Sequence, residues 1–176
     1  MLNIGLLGCG RIGQVHARAI ARRDNARLVA VADAFPEAAE ALAQKAGAAV
    51  RSSEAIIASD DVDAVIIGTP TDTHYDLIHA AARVCKAIFC EKPVDLSADR
   101  IRDCIKVVED NGVGFVVFLT QDLGWVAAGR RGLRWSTTSR PTVVRRVGAA
   151  FLLSNDLEEL NGGQNFLEFA DGAPHG

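Results

Sequence analysis

Residues 3–20 read NIGLLGCGRIGQVHARAI, and this stretch decides the fold. It opens with an apolar run that predicts a buried strand, and it closes with apolar side chains spaced for one face of a helix. Three glycines with the spacing G-x-G-x-x-G separate the two elements, and they are Gly8, Gly10 and Gly13. A strand, a glycine turn and a helix in this order are typical of the first βαβ unit of a dinucleotide-binding domain.

Each glycine of this turn has a separate expected role. Gly8 allows the chain to turn sharply out of the strand, Gly10 lets a pyrophosphate approach the backbone, and Gly13 lets the helix pack closely. The phosphates would then face the helix N-terminus, where free N–H groups and the helix dipole favour an anion. We therefore expect the whole loop, with Arg11 and Ile12 included, to bind the cofactor.

An acidic residue follows the second predicted strand. The run RLVAVA at residues 27–32 predicts that strand, and Asp33 follows it, twenty residues after Gly13. A carboxylate at this place accepts the hydroxyls of the adenosine ribose and favours NAD, whereas an NADP site usually adds an arginine. No arginine occupies the next three positions. The alternative is that Asp33 only caps the helix that Pro36 opens.

Strand-like and helix-like segments continue to alternate along the chain. Apolar runs at residues 62–68, 87–90 and 113–118 predict strands, and amphipathic segments between them predict helices. About six strands and four or five helices result from this pattern. The sequence therefore predicts an α/β fold with a doubly wound parallel sheet over residues 1–118.

Ligands of such a sheet bind beyond the carboxyl ends of its strands. The candidate loops at these ends are Gly8 to Gly13, Gly68 to His74, and Glu91 to Pro93. Thr71 or Asp72, in the second loop, is expected to cap the helix that follows.

Composition excludes several classes of protein. The chain has 176 residues, 49% of them hydrophobic, and a formal net charge of −3, which favours one globular domain without attraction to nucleic acid. No membrane-length apolar span and no signal peptide are recognisable, so a cytoplasmic protein without membrane contact is expected. The four cysteines lack metal-ligand spacing and are expected to be reduced thiols.

Together, the three loops resemble those of the glucose-fructose oxidoreductase, inositol dehydrogenase and MocA family, and within it the inositol 2-dehydrogenases. The resemblance covers residues 2 to about 117, and its most specific part is Glu91-Lys92-Pro93 after the fifth strand. It implies that Lys92 lies beside the nicotinamide and the substrate hydroxyl and assists proton transfer. Glu91 and Pro93 would shape that loop.

The family's T-P-x-x-x-H turn also has counterparts here, and they are Thr69, Pro70, Thr71 and His74. The resemblance implies that this turn lines the cofactor channel together with Glu91 and Lys92. Simpler interpretations are a surface lysine for Lys92 and a solvated residue at the start of a helix for His74. His16 is expected to pack on the first helix and not to act.

The implied activity is an NAD-dependent oxidation of a polyol or sugar alcohol. As hydride leaves such a substrate, the hydroxyl proton must also be removed, and a positioned lysine can assist this transfer. A small polyol is therefore the expected partner, and no oligomeric state is indicated.

The composition changes abruptly after Val117. All six basic residues between positions 129 and 146 are arginine, no lysine follows Val117, and no helical or strand period holds. The family resemblance implies a large substrate domain here, which 59 residues cannot complete. We expect residues 119–176 to be a remnant or disrupted substrate domain, partly disordered, arising from truncation, a frameshift or an internal deletion.

Other hypotheses follow from this region. Asp171 and His175 have the D-x-x-x-H spacing of the family's second catalytic element, but the intervening Pro174 opposes a helix. The arginines, together with the two tryptophans, match no nucleic-acid module, so no nucleic-acid partner is expected. The main alternative to a dehydrogenase is an NAD-binding module or truncated pseudoenzyme without turnover. A further alternative is a different nucleotide-binding enzyme, such as a methyltransferase.

Overall fold

Parallel strands alternate with helices through most of the chain. The computed structural model describes residues 1–117 in full, and it describes the backbone of residues 125–128 and 134–136. The strands of this described part are β1 (Leu2–Leu7), β2 (Ala26–Ala32), β3 (Ala49–Val50), β4 (Ala64–Ile67), β5 (Ala87–Cys90), β6 (Phe115–Val117), β7 (Trp125–Ala128) and β8 (Arg134–Ser136). The helices are α1 (Arg11–Ile20), α2 (Pro36–Ala46), α3 (Ser53–Ala58), α4 (Thr71–Arg83) and α5 (Ala98–Asp110).

The strands form one sheet in the order β3-β2-β1-β4-β5-β6-β7-β8, and β1 to β6 are all parallel. The chain leaves β1 towards β2 and β3, crosses back, and continues from β4 on the other side of β1. This reversal opens a crevice beyond the carboxyl ends of β1 and β4, where ligands of such sheets bind. The predicted doubly wound parallel sheet is confirmed for this part of the chain.

Both faces of the sheet are covered because successive strand residues point to opposite sides. Leu6 faces the cluster that includes Ala17 and Ile20 of α1, while the next residue, Leu7, faces the cluster that includes Ile78 of α4. All five of these side chains are buried. Burial of one large aliphatic side chain stabilises the fold by about 1.5–3 kcal/mol. The continuous apolar runs of β1 and β4 therefore reflect strands buried on two sides.

The sheet continues beyond the predicted sixth strand. β7 pairs antiparallel with β6, and β8 pairs antiparallel with β7. Residues 125–128 and 134–136 thus form strands although the sequence shows no strand period between positions 119 and 176. A physical reason is that β6 alone would leave an edge of unpaired backbone groups, which an antiparallel strand can satisfy without strong apolar periodicity of its own.

Several other predictions concern this same region or the chain as a whole. Asp171, His175 and the rest of residues 119–176 lie outside the described residues. All four cysteines are free thiols, with Cys85 the exposed one. Within the part of the chain that the structure describes, no helix has the length and apolar character needed to cross a membrane.

Candidate dinucleotide site

Two glycines of the first loop allow backbone segments to approach closely. Gly8 has a left-handed φ of +101°, and a Cβ atom there would lie 2.5 Å from the carbonyl oxygen of Gly68. A Cβ atom on Gly13 would lie only 2.0 Å from the carbonyl oxygen of Gly8. Neither position can hold a side chain without moving backbone. The glycine loop therefore packs closely against both α1 and the loop that follows β4.

Gly10 differs from these two glycines because its missing side chain faces open space. No heavy atom lies within 4 Å of the position that its Cβ would occupy. Gly10 is the N-cap of α1, it has no side chain to cap the helix, and the first turn of α1 contains no acidic residue. Free amides of a helix start, without a competing carboxylate, suit a phosphate group. The residues of this loop therefore fit the pyrophosphate of a dinucleotide.

Cys9 adds no negative charge to this loop. Burial raises the pKa of its thiol to about 11, and the nearby carboxylate of Asp33 acts in the same direction. The thiol remains protonated at neutral pH and donates a weak hydrogen bond to the carbonyl oxygen of Ala32, 3.4 Å away. The loop between β1 and α1 thus carries no charge, and the exposed guanidinium of Arg11 follows it at the first position of α1.

Asp33 lies half-buried at the carboxyl end of β2, beside the glycine loop. Its Oδ2 accepts a 2.6 Å hydrogen bond from the Cys9 amide, and its Oδ1 accepts a 2.9 Å bond from the Phe35 amide. The N-cap of α2 is Phe35, not Asp33. The carboxylate is therefore oriented by two backbone amides. Its position next to the glycine loop is the one that a ribose-binding carboxylate requires.

The loop after β4 lies on the other side of β1. Gly68 donates a 2.7 Å hydrogen bond from its amide to the carbonyl oxygen of Leu7, which holds this loop against the end of β1. The Thr73 hydroxyl lies 2.7 Å from the hydroxyl of Thr69 and 2.8 Å from the carbonyl oxygen of Pro70. These contacts fix the start of α4.

The structure corrects the predicted N-cap of this helix and excludes the alternative of a solvated His74. The N-cap of α4 is Pro70, so neither Thr71 nor Asp72 caps the helix. Proline holds the extended backbone that an N-cap needs, and the next two residues are already helical. His74 is not solvated, because only 1% of its surface is exposed. Its ring nitrogens Nδ1 and Nε2 lie 2.9 Å from the carbonyl oxygen of Pro93 and 2.8 Å from that of Thr69.

The loop after β5 presents one buried and one exposed charged residue. Glu91 is buried, and its Oε1 lies 2.7 Å from Nε2 of His16 on α1. The His16 ring also packs edge-on against Phe89 of β5, with centroids 5.1 Å apart. Lys92, the next residue, is exposed, and its peptide bond to Pro93 is cis. The structure thus places the exposed Lys92 directly after β5, the strand next to β4.

All the site residues that the sequence predicts lie in loops or helix starts at the carboxyl edge of the sheet. Gly68, predicted only as the first residue of the loop after β4, also forms the close approach to Gly8. One further residue was missed as a contributor to this edge. His16 was expected only to pack on α1, yet it joins α1 to Glu91.

Family comparison agrees with this geometry. The profile of the GFO/IDH/MocA oxidoreductases, described as "Oxidoreductase family, NAD-binding Rossmann fold", matches residues 2–119. The chain belongs to this oxidoreductase family. The matched region of this family member is the NAD-binding Rossmann domain, in agreement with the strand order. The methyltransferase alternative is therefore not supported.

Individual relatives show the same relationship. Inositol 2-dehydrogenase of Rhizobium meliloti is 60% identical over 116 residues, which cover 66% of this chain and 35% of that protein. A crystal structure from Sinorhizobium meliloti superposes with a TM-score of 0.66 at 58% identity and covers 67% of this chain and 36% of that one. Scyllo-inositol dehydrogenase of Lactobacillus casei, solved with NAD(H) and scyllo-inositol, gives a TM-score of 0.63 at 27% identity. It covers 66% of this chain and 36% of that chain. The chain spans about a third of the length of these relatives.

Proposed function

We propose that this chain binds NAD across the carboxyl edge of its sheet and serves the oxidation of a polyol or sugar alcohol. The strand order sets the direction of the cofactor along that edge. Asp33 follows β2, the glycine loop follows β1, and Lys92 follows β5, two strands further along. An extended dinucleotide with its adenosine ribose at Asp33 and its pyrophosphate at Gly10 directs its other half towards Lys92.

Each predicted residue has a place in this arrangement. The carboxylate of Asp33 accepts the ribose hydroxyls, and the amides at the start of α1 face the pyrophosphate. Thr69 and its neighbours border the nicotinamide half, together with Glu91 and Lys92. The cofactor-binding set is Gly8, Gly10, Arg11, Ile12, Gly13, Asp33, Thr69, Pro70, Thr71, His74, Glu91 and Lys92. His74 serves this set through the two loops that it joins, because its ring is buried.

Lys92 is the proposed catalytic residue. NAD supplies the hydride acceptor, and the chain must manage the proton of the substrate hydroxyl. Lys92 is exposed, so its Nζ can release a proton to water, and the resulting neutral amine can then accept the proton of the substrate hydroxyl. The observation that carries this proposal is the exposure of Lys92 directly after β5 in a chain that is 60% identical to an inositol 2-dehydrogenase over 116 residues.

The chain divides into two parts after residue 118. Residues 1–118 form the dinucleotide-binding domain, which agrees with a family match that ends at residue 119. Residues 119–176 correspond to a remnant or disrupted substrate domain. The substrate is a small polyol, and the protein acts in the cytoplasm.

The test combines a binding titration with a turnover assay on the full chain. NAD affinity is measured by calorimetry, and NADH formation is followed with myo-inositol and scyllo-inositol. We expect Lys92→Met to abolish NADH formation and to weaken NAD binding without abolishing it, and we expect Lys45→Met, at an exposed lysine of α2, to change neither. Binding without NADH formation by the wild-type protein would favour the NAD-binding module. Absence of NAD binding would refute the proposal altogether.

A further inference from the structure

His74 joins the two loops that border the proposed nicotinamide side of the site. Its ring lies between the carbonyl oxygen of Thr69, in the loop after β4, and that of Pro93, in the loop after β5. A carbonyl oxygen can only accept, so each ring nitrogen that carries hydrogen donates to the carbonyl that it faces. The ring is almost fully buried, at 1% exposure. It therefore acts on the backbone of these loops and is sealed from solvent.

His16 of α1 also contacts the loop after β5, through the side chain of Glu91. Its Nε2 lies 2.7 Å from Oε1 of Glu91, and both side chains are largely shielded, with 13% and 11% of their surface exposed. Packing against Phe89 fixes the plane of the His16 ring. Because His16 belongs to α1, this contact ties the loop after β5 to the helix whose start faces the pyrophosphate.

Lys92 lies between these two attachments. The residue before it, Glu91, is held by His16, and the residue after it, Pro93, is held by His74. The Lys92 side chain itself is exposed, so its backbone position depends on its two neighbours. We propose that His16 and His74 are positioning residues, which hold Lys92 and the loop around it in register with the cofactor's nicotinamide half. This inference rests on the proposed function.

A comparison of NAD with ADP-ribose distinguishes this positioning role from a general effect on stability. ADP-ribose contains the adenosine, the pyrophosphate and the second ribose of NAD, but it lacks the nicotinamide ring. A shift of the loop near the nicotinamide should weaken NAD binding and leave ADP-ribose binding unchanged. A general loss of structure should weaken the binding of both ligands. The ratio of the dissociation constants for NAD and ADP-ribose is therefore the readout.

The experiment measures this ratio for substituted full-length chains. His74→Leu and His16→Leu remove the polar contacts, while His74→Gln and His16→Gln retain an amide donor. His79→Leu is the matched control, because His79 is also a buried histidine of α4 and its ring packs against Tyr75, away from both loops. Thermal unfolding of each variant identifies those that fold.

We expect each leucine variant to raise the ratio about tenfold, as the loss of one well-placed hydrogen bond does. The glutamine variants should recover part of this loss, and His79→Leu should leave the ratio at the wild-type value. Should a leucine variant not fold, the glutamine variants decide the outcome, with a smaller rise of the ratio expected. An unchanged ratio in the folded variants would overturn the inference alone. Wild-type protein that binds neither ligand would refute the proposed function as well.

Discussion

The backbone amide of Cys9 donates a 2.6 Å hydrogen bond to Oδ2 of Asp33. This bond joins the turn between Gly8 and Gly10 to the carboxyl end of β2, although the two residues are 24 positions apart in the chain. Hydrogen bonds to a charged acceptor are stronger than those between neutral groups. The proposed ribose carboxylate and the proposed pyrophosphate loop therefore form one unit, and a change at either affects both.

Removal of the Asp33 carboxylate should weaken NAD binding. We expect Asp33→Ala to reduce the binding free energy by about 1–3 kcal/mol, since the ribose hydroxyls lose a charged acceptor and the Cys9 amide loses its partner. Asp33→Asn keeps one acceptor oxygen and should lose less. Calorimetric titration with NAD measures both, with the exposed Asp60→Ala as the control. Wild-type affinity in a folded Asp33→Ala protein would exclude the ribose assignment.

Alanine substitutions at Gly13 and Gly10 should affect two different properties, the stability of the fold and the binding of NAD. Gly13→Ala places a Cβ atom 2.0 Å from the carbonyl oxygen of Gly8, so the backbone must shift and the protein should lose about 1–3 kcal/mol of stability. Gly10→Ala meets no atom within 4 Å and should fold normally, while its Cβ obstructs the pyrophosphate. Urea unfolding and NAD titration separate the two effects. Equal NAD affinity of Gly10→Ala and wild type would contradict the proposed position of the phosphates.

His79 should make the stability of the fold depend on pH. Burial lowers the pKa of His79, and Arg83 and Arg100 act in the same direction, while Asp103 and Asp76 oppose them. Its Nε2 is buried without a hydrogen-bond partner among the described residues and lies 3.4 Å from Oδ2 of Asp103. The neutral ring is therefore the form that the folded state accommodates best.

The sign of the effect follows from this lowered pKa. Above the unfolded-state value of about 6.5, both states hold a neutral ring and the stability is retained. As the pH falls below that value, the unfolded state takes up the proton first, so the free energy of unfolding decreases until the folded-state pKa is passed. Urea unfolding at a series of pH values should show this slope, and His79→Gln should reduce it. Identical slopes for the wild-type protein and His79→Gln would contradict the assignment of this pH dependence to His79.

The two antiparallel strands should protect their amides from hydrogen exchange. β7 lies between β6 and β8, with Val116 opposite Ala127 and Val126 opposite Trp135. Hydrogen bonds on both sides of β7 should slow exchange across residues 125–128, as in β1 to β6. Exchange resolved by mass spectrometry of short peptides can measure this. Fast exchange throughout that segment beside protected parallel strands would show that the sheet ends at β6.

Local patterns were sufficient to predict most of the parallel sheet. The apolar run before Gly8, the glycine spacing and the acidic Asp33 each depend on neighbours within one βαβ unit, and all three lie where the sequence predicts them. The loop that contains Lys92 was predicted through the family resemblance, because three residues by themselves carry too little periodic information. The N-cap of α4 was misplaced by one or two residues, because the exact start of a helix depends on the conformation of a few residues, such as the extended backbone of Pro70 and the local contacts of the Thr73 hydroxyl.

The sequence by itself determined the strand, turn and helix order, the doubly wound class and the chemical types of the site residues. Only the tertiary structure decided which of those residues meet. His16 and Glu91 are 75 positions apart, and they meet because α1 packs on the face of the sheet from which Phe89 of β5 also projects. His74 spans two loops because β4 and β5 are neighbours in register. Periodicity encodes which side of an element is buried, whereas contacts between loops depend on strand order and register, which no short stretch of sequence contains.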